Sequence, residues 1–407
     1  MKTKFISRAI IISSTRFVAL SLPLCDMIML GHQGNEYVKN FSVAVQLSQI
    51  FVILAVMLSI GINIVIGKSD RDRDKYIQGI FRYSIYLSLW IFITSLIMSI
   101  FIYNNKVAFL SYLILSISIF PLCIYISFVN ILESIDLERK ILIITIYSSI
   151  ANLLLNYIFI QLFTNSAVAV SISTCFVRIL ILLPIISLLL KKKIKLTPKK
   201  INNLSMELLK LGGSNAVTSL FFTGGLSLLV IYIAKNMEEE YSAFFGLTLN
   251  FMNTISVIFV GMAISLSISL TKNNDNIKNV TIKYLKQSML YIVCFSFIFY
   301  IITPLLSYIY LGHKNKILIE YFILSIGVIA FDGIAQTFIS VLRVYGMSKI
   351  PPLFRLSLIF IGIPLSFVFS IDNNPISNII IFMMIGNLLA SLFCVFYFIK
   401  NFAYIKK

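Results

Sequence analysis

The chain is poor in charge, and poorest in negative charge. Asp and Glu number 16 against 34 Lys and Arg, and the four types together make up only 12% of 407 residues. A water-soluble domain carries about 25%, so a soluble fold of this length is excluded. Histidine occurs twice, too rarely for a His-rich metal site. The five cysteines, Cys25, Cys123, Cys175, Cys294 and Cys394, sit inside apolar runs with no paired spacing. They read as small buried residues, which leaves neither a disulfide framework nor a zinc motif. Phosphate-binding loops and nucleophile elbows are also missing. An ATP-driven pump would therefore need a partner chain. A lipid-acting enzyme would lack the Asp, His and Glu cluster it needs at one membrane face, so no enzyme and no cofactor are expected.

What is abundant is hydrocarbon: 59% of residues are hydrophobic and the mean hydropathy is +0.95. Apolar runs long enough to cross a core of ~30 Å recur along the whole chain. They predict an all-α integral membrane protein of twelve spans, near 6–30, 41–67, 77–103, 107–132, 140–163, 166–190, 207–234, 241–270, 284–311, 317–342, 350–370 and 377–400.

The formal net charge of +18 does not point to nucleic acid, because the bases lie in short connections beside the spans. Lys2, Lys4 and Arg8 precede the first span. Lys68, Arg71, Arg73 and Lys75 follow the second, Arg139 and Lys140 the fourth, and Lys272, Lys278, Lys283 and Lys286 the eighth. Arg343 and Lys349 and then Lys406 and Lys407 continue the same side, so both termini are expected in the cytoplasm of a cell whose inner (plasma) membrane holds the chain. The basic start runs into an apolar stretch with no small-residue cleavage site, which predicts a retained first helix. Asp70, Asp72 and Asp74 interleave with Arg71 and Arg73 as expected of a solvated turn.

The longest polar connection, KKKIKLTPKKINNLSM, divides the chain into an N-lobe at 1–190, a basic linker at 191–206 and a C-lobe at 207–407. The halves share a trace of repetition. NEYVKNFSVAVQ aligns with EEYSAFFGLTLN at an offset of 204, pairing Tyr37 with Tyr241, Phe41 with Phe245 and Gln46 with Asn250. A second string, from Ala151, aligns with one from Ile361 at an offset of 210. Parallel duplications of this kind enclose transport paths near mid-membrane.

Against this background an acid inside a span is costly and points to work. Asp26 lies in LPLCDMIMLGHQG, one turn after Pro23, which removes a helix hydrogen bond and permits a bend. Asn152 and Asn156 stand four apart and share a helix face; ion ligation and ordinary interhelical hydrogen bonding are both open to them. Asp332, with Gln336 one turn later, is the deep acid of the second half. Substrate contact, ion coupling and a structural pair are all open for it. Arg16 can snorkel to the interface, whereas Arg178 near the middle of its span is a charge partner open to Asp26. His32 and His313 each follow Leu-Gly and read as loop residues.

DMIMLGHQG after an apolar first helix resembles the D-x-x-M-x-G-x-x-G stretch of the multidrug and toxic compound extrusion (MATE) family. FDGIAQTFISVLRVYGMSKIP, from Phe331 to Pro351, is similar to that family's tenth helix and following loop. The resemblance implies a cation-driven exporter of two pseudo-symmetric six-helix lobes that alternates its access, exchanging H⁺ or Na⁺ for substrate. It also implies that Asn152, Asn156 and Thr174 join Asp26 in an N-lobe ion site, with Asn156 where some members have an acid. A second branch of the family pairs a helix-seven Glu with the helix-ten Asp, but Thr223 stands at the Glu position and Gly246 replaces the usual helix-eight glutamine. That departure favours the N-lobe.

The expectation is therefore a monomeric antiporter exporting amphipathic, cationic small molecules, with membrane lipids and the substrate as its partners. The alternative is a flippase for lipid-linked oligosaccharide or lipid, for which Arg16 and Arg178 would meet a pyrophosphate.

Overall fold

The computed structural model describes residues 2–20, 22–68, 73–271, 277–368 and 375–402. Asp70, Arg71, Asp72, Lys272, Lys406 and Lys407 lie outside the described residues. Almost every described residue is helical, and the chain forms two compact units, one of residues 21–239 and one of residues 1–20 with 240–407.

The first of these units contains α2 (Leu22–Gly31), α3 (Asn35–Lys68), α4 (Arg73–Met98, extended by a 3-10 turn at Ser99–Ile102) and α5 (Lys106–Ser134). It continues with α6 (Glu138–Leu162), α7 (Ser166–Leu180), α8 (Leu182–Lys191) and α9 (Leu204–Asn236). Helix starts follow local chemistry. The Asn105 side chain accepts from the Ala108 N–H at the head of α5, and Asn165 accepts from Ala167 and Val168 at the head of α7. Such caps replace acceptors that the first turn lacks. Pro184 cannot donate back to Leu180, which accounts for the interruption between α7 and α8 at Ile181.

Helix α3 is the buried axis of this unit and packs against α9 and α5. Glycine permits the close approach to α9: a Cβ on Gly212 would sit 2.6 Å from the Met57 carbonyl oxygen and 3.0 Å from Leu58 Cα, whereas one on the adjacent Gly213 would meet nothing within 4 Å. The two positions therefore predict opposite signs. Gly213→Ala is expected to raise the thermal unfolding midpoint through helix propensity, worth up to ~1 kcal/mol. Gly212→Ala is expected to lower it through a backbone collision of ~1–3 kcal/mol. Equal shifts for both would contradict this packing.

The second unit contains α1 (Lys2–Leu20), α10 (Glu239–Thr271, of which residue 239 belongs to the first unit), α11 (Ile277–Leu311), α12 (Lys316–Val344), α13 (Ile363–Val368) and α14 (Pro375–Phe402). Ser13 donates from its hydroxyl to the Ile258 carbonyl (2.7 Å), and a Cβ on Gly261 would fall 2.6 Å from Ser13 Cα, so α1 lies tightly on α10. At one end of the unit Phe5, Leu266, Leu270, Leu285, Leu342 and Phe398 close an apolar cluster. Gly346, at φ +84°, ends α12, with the Met347 N–H bonded to the Leu342 carbonyl, a cap that only a left-handed residue completes.

Three features differ from the expectations. The first span is two helices, α1 and α2, rather than one. The stretch expected as the eleventh span is a 3-10 helix at Pro351–Leu356, a π-helical turn at Leu358–Gly362 and the short α13. Pro351, Pro352 and Pro364 remove the donors a regular helix would need there. Among the described residues ten helices are long and apolar enough to cross a membrane, or eleven if α1 and α2 count as one span, against the twelve expected. The compact units divide at 20/21 and 239/240, so α9 packs with the helices that precede it and α1 with those from α10 onward. The 204-residue offset does coincide with structure: α3 begins at Asn35 and α10 at Glu239.

Tyr86, Trp90 and Ile97 on α4 and Leu290, Val293 and Phe297 on α11 are more than half exposed. Apolar faces this extensive belong against lipid, and the chain is a multi-pass membrane protein.

Candidate functional site

Asp26 is placed by the packed face of α2, where Leu22, Pro23, Asp26, Met27 and Leu30 are buried at helical spacing. Pro23 is the second residue of that helix, where a missing N–H costs no intrahelical bond. Opposite stands α6, most of whose surface is exposed; its narrow inward face consists of Ile141, Thr145, Asn152 and Asn156. Helix α7 contributes Thr174 and, one turn later, Arg178.

These elements converge on the carboxylate. Asn152 Nδ2 donates to Asp26 Oδ1 at 2.8 Å, and Asn156 Nδ2 donates to the same oxygen at 2.6 Å. Thr174 Oγ1 donates to Oδ2 at 2.8 Å. Asp26, Asn152 and Asn156 are fully buried and Thr174 is 1% exposed. Three donors on one carboxylate form charge-assisted bonds, shorter and stronger than neutral ones. The carbonyl oxygens Oδ1 of Asn152 and Asn156 are sealed from solvent with no donor facing them. Within one small volume the chain thus gathers two carboxylate, two amide and one hydroxyl oxygen. Hard oxygen donors of this kind suit an alkali cation, and a buried carboxylate accepts a proton equally well in chemical principle.

Arg178 does not pair with Asp26. Among the described residues no carboxylate lies within ion-pair distance of it; its Nη1 donates to Ser118 Oγ at 2.9 Å, and Ser118 Oγ passes its own proton to the Leu115 carbonyl.

The second acid is differently placed. Asp332 Oδ1 accepts from Arg355 Nε at 2.9 Å and Nη2 at 2.8 Å. With its amide oxygen turned inward, Gln336 accepts from Arg355 Nη1 and Nη2 at 3.0 and 3.1 Å. Arg355 stands on the 3-10 helix Pro351–Leu356 and is 7% exposed. Of the options open for Asp332, the geometry supplies the ion pair. Sequence reasoning missed Arg355, although it is the one basic residue within the apolar stretch 351–370. His32 and His313 occupy exposed turns, and no group of three His, Cys, Asp or Glu side chains suited to a metal occurs among the described residues.

The sequence matches no family model and no curated protein. The fold is similar to solved structures along its whole length. The eukaryotic MATE transporter AtDTX14 superimposes with a TM-score of 0.80 at 13% identity, covering 98% of this chain and 95% of the other. This is the MATE transporter fold. An outward-facing conformation of a multidrug resistance MATE family transporter gives a TM-score of 0.78 at 15% identity, over 98% and 96% of the chains. An inward-facing conformation of such a transporter gives 0.75 at 16%, over 98% and 99%. The likeness is one of fold, at identities of 13–16%.

Proposed function

We propose that this chain is a secondary antiporter that exports amphipathic, cationic small molecules in exchange for H⁺ or Na⁺. The observation that carries the reading is the buried Asp26 carboxylate with its three donors and the two amide oxygens that no donor meets. A cation arriving there would be favoured by charge and by oxygen ligands together, and it would shift the protein only by its differential affinity for two states. That the MATE fold has been solved in outward-facing and inward-facing forms supports alternating access. We assign the broken helix α1–α2 and the stretch 351–368 as the first and eleventh of twelve spans, in two six-helix halves joined by the basic linker 191–206. The asymmetry of Lys and Arg supports cytoplasmic termini in an inner (plasma) membrane, and the chain acts as a monomer.

The role of Asp332 and Gln336 is positional in this reading, since Arg355 neutralises the acid. Arg178 lends the flippase alternative no support, because its guanidinium is engaged by Ser118 inside its own unit.

The test is transport of a fluorescent organic cation into and out of proteoliposomes under an imposed pH gradient or, separately, an imposed sodium gradient. Movement driven by one gradient and abolished by its collapse is expected. Transport that ignores both, or rescue of a glycan-assembly defect without efflux, would remove the antiporter reading.

A further inference from the structure

We infer that the N-terminal end of α11 is a binding site for one anionic phospholipid, its phosphate held by Lys283 and Lys286. At this end of the helix a groove of about 380 Å³ is lined by Asn279, Ile282, Lys283, Lys286 and Gln287. Both lysines are exposed. The spacing of residues 279, 283 and 286 puts two ammonium groups and an amide on a single helix face. Ammonium and amide N–H groups are donors for phosphate oxygens.

The same face continues as hydrocarbon. Leu290, Val293, Phe297 and Ile301 follow at helical spacing and are 64%, 65%, 62% and 59% exposed. From Leu290 to Ile301 the helix rises ~16 Å, about the depth of one leaflet of a ~30 Å core. A cationic head above one leaflet of apolar surface has the outline of a lipid with its charge reversed.

A separate observation agrees with an anionic partner. Arg343, near the end of α12 at the same membrane face, is 6% exposed, its Nε is sealed from solvent without an acceptor, and among the described residues no carboxylate reaches it. Its neighbours Leu342 and Val344 pack in one cluster with Val280, Tyr284 and Leu285 of α11. The described acids of this unit give no compensation: Glu240 and Glu320 lie at the far ends of α10 and α12, and Asp332 is paired with Arg355. Among the described residues, then, no acid stands beside Lys283, Lys286 and Arg343 at this end of the unit, at the level where lipid headgroups lie. A free phosphate offers the same oxyanion but would leave the apolar face below the groove uncovered, so the lipid is the occupant.

The experiment titrates the purified full-length chain in detergent with dioleoylphosphatidylglycerol, dioleoylphosphatidylcholine or inorganic phosphate, counting bound molecules by native mass spectrometry. Phosphatidylglycerol is expected to bind in preference to phosphatidylcholine. The double substitution Lys283→Gln with Lys286→Gln is expected to weaken that binding ~30-fold, the loss expected of two lysines at an anionic surface. The corresponding Arg pair should bind as the parent does, and Lys191→Gln with Lys192→Gln should change nothing. Both lysines point outward, so an unchanged melting midpoint verifies folding. Undiminished phosphatidylglycerol binding by the Gln pair, an equal loss in the Lys191 and Lys192 variant, equal binding of phosphatidylcholine, or displacement of the lipid by equimolar phosphate would each overturn the assignment.

Discussion

Asp26→Asn is expected to bring gradient-driven transport in proteoliposomes down to the level of protein-free vesicles while the protein still folds. The replacement has nearly the same shape. Its single oxygen can keep the bonds from Asn152 and Asn156, and the Thr174 hydroxyl can rotate to accept from the new amide instead of donating. What disappears is the charge. Without it the oxygens at the site neither hold a proton nor offset the dehydration of a sodium ion, and a ligand without differential affinity shifts no equilibrium. Asp26→Glu keeps the charge but forces an extra methylene into a fully buried site, so reduced but measurable transport is expected. Melting midpoints recorded beside the transport assay separate lost coupling from lost protein. Full transport by Asp26→Asn would sink the assignment of the coupling site.

Arg355→Met alone is expected to cost about 3–5 kcal/mol of stability, the penalty for leaving a buried carboxylate without its partner. Asp332→Leu alone should cost a similar amount, because it takes away the carboxylate that faces the buried guanidinium. The double variant Arg355→Met with Asp332→Leu is expected to recover most of the loss, since apolar residues of similar volume often replace a buried pair at little cost. Unfolding in a denaturing detergent titration measures all three, and the recovery is the decisive quantity. Single and double variants of equal instability would show that the pair is not the relevant contact. Retained transport by the double variant is expected as well, which separates Asp332 from a coupling role.

The way the two sites came to light differs for physical reasons. Asp26 stood out because a carboxylate in an apolar run has no cheap explanation, and Asn152 with Asn156 because a spacing of four puts both on one face. Thr174 carries no such mark, and only the resemblance to the MATE family brought it to the site. Arg178 was the reverse case: its position within a span suggested a contact with Asp26, but the rotation of α7 gives its guanidinium to Ser118, and no periodicity argument resolves one hydrogen-bond partner from another. Arg355 was illegible because Pro351 and Pro352 break the regular helix that periodicity assumes, so the face on which it projects does not follow from counting residues. The same prolines hid the short helices of 351–368 inside what reads as one apolar span. The partition into compact units was also invisible, because hydropathy marks where helices are and not which of them share glycine-lined contacts such as that between Gly212 and Met57.

The pairing of buried charges also sets what an electric field can do to this molecule. Moving one elementary charge through a membrane potential of 100 mV is worth about 2.3 kcal/mol. Asp332 and Arg355 sum to zero, and so do Asp26 and Arg178 within their unit, although they do not touch. In the cation-free form these four groups offer the voltage no net charge to act on. With a cation held at Asp26, as proposed, the sum of these four becomes +1, and an interior-negative voltage would then act on this set in the loaded form and not in the empty one.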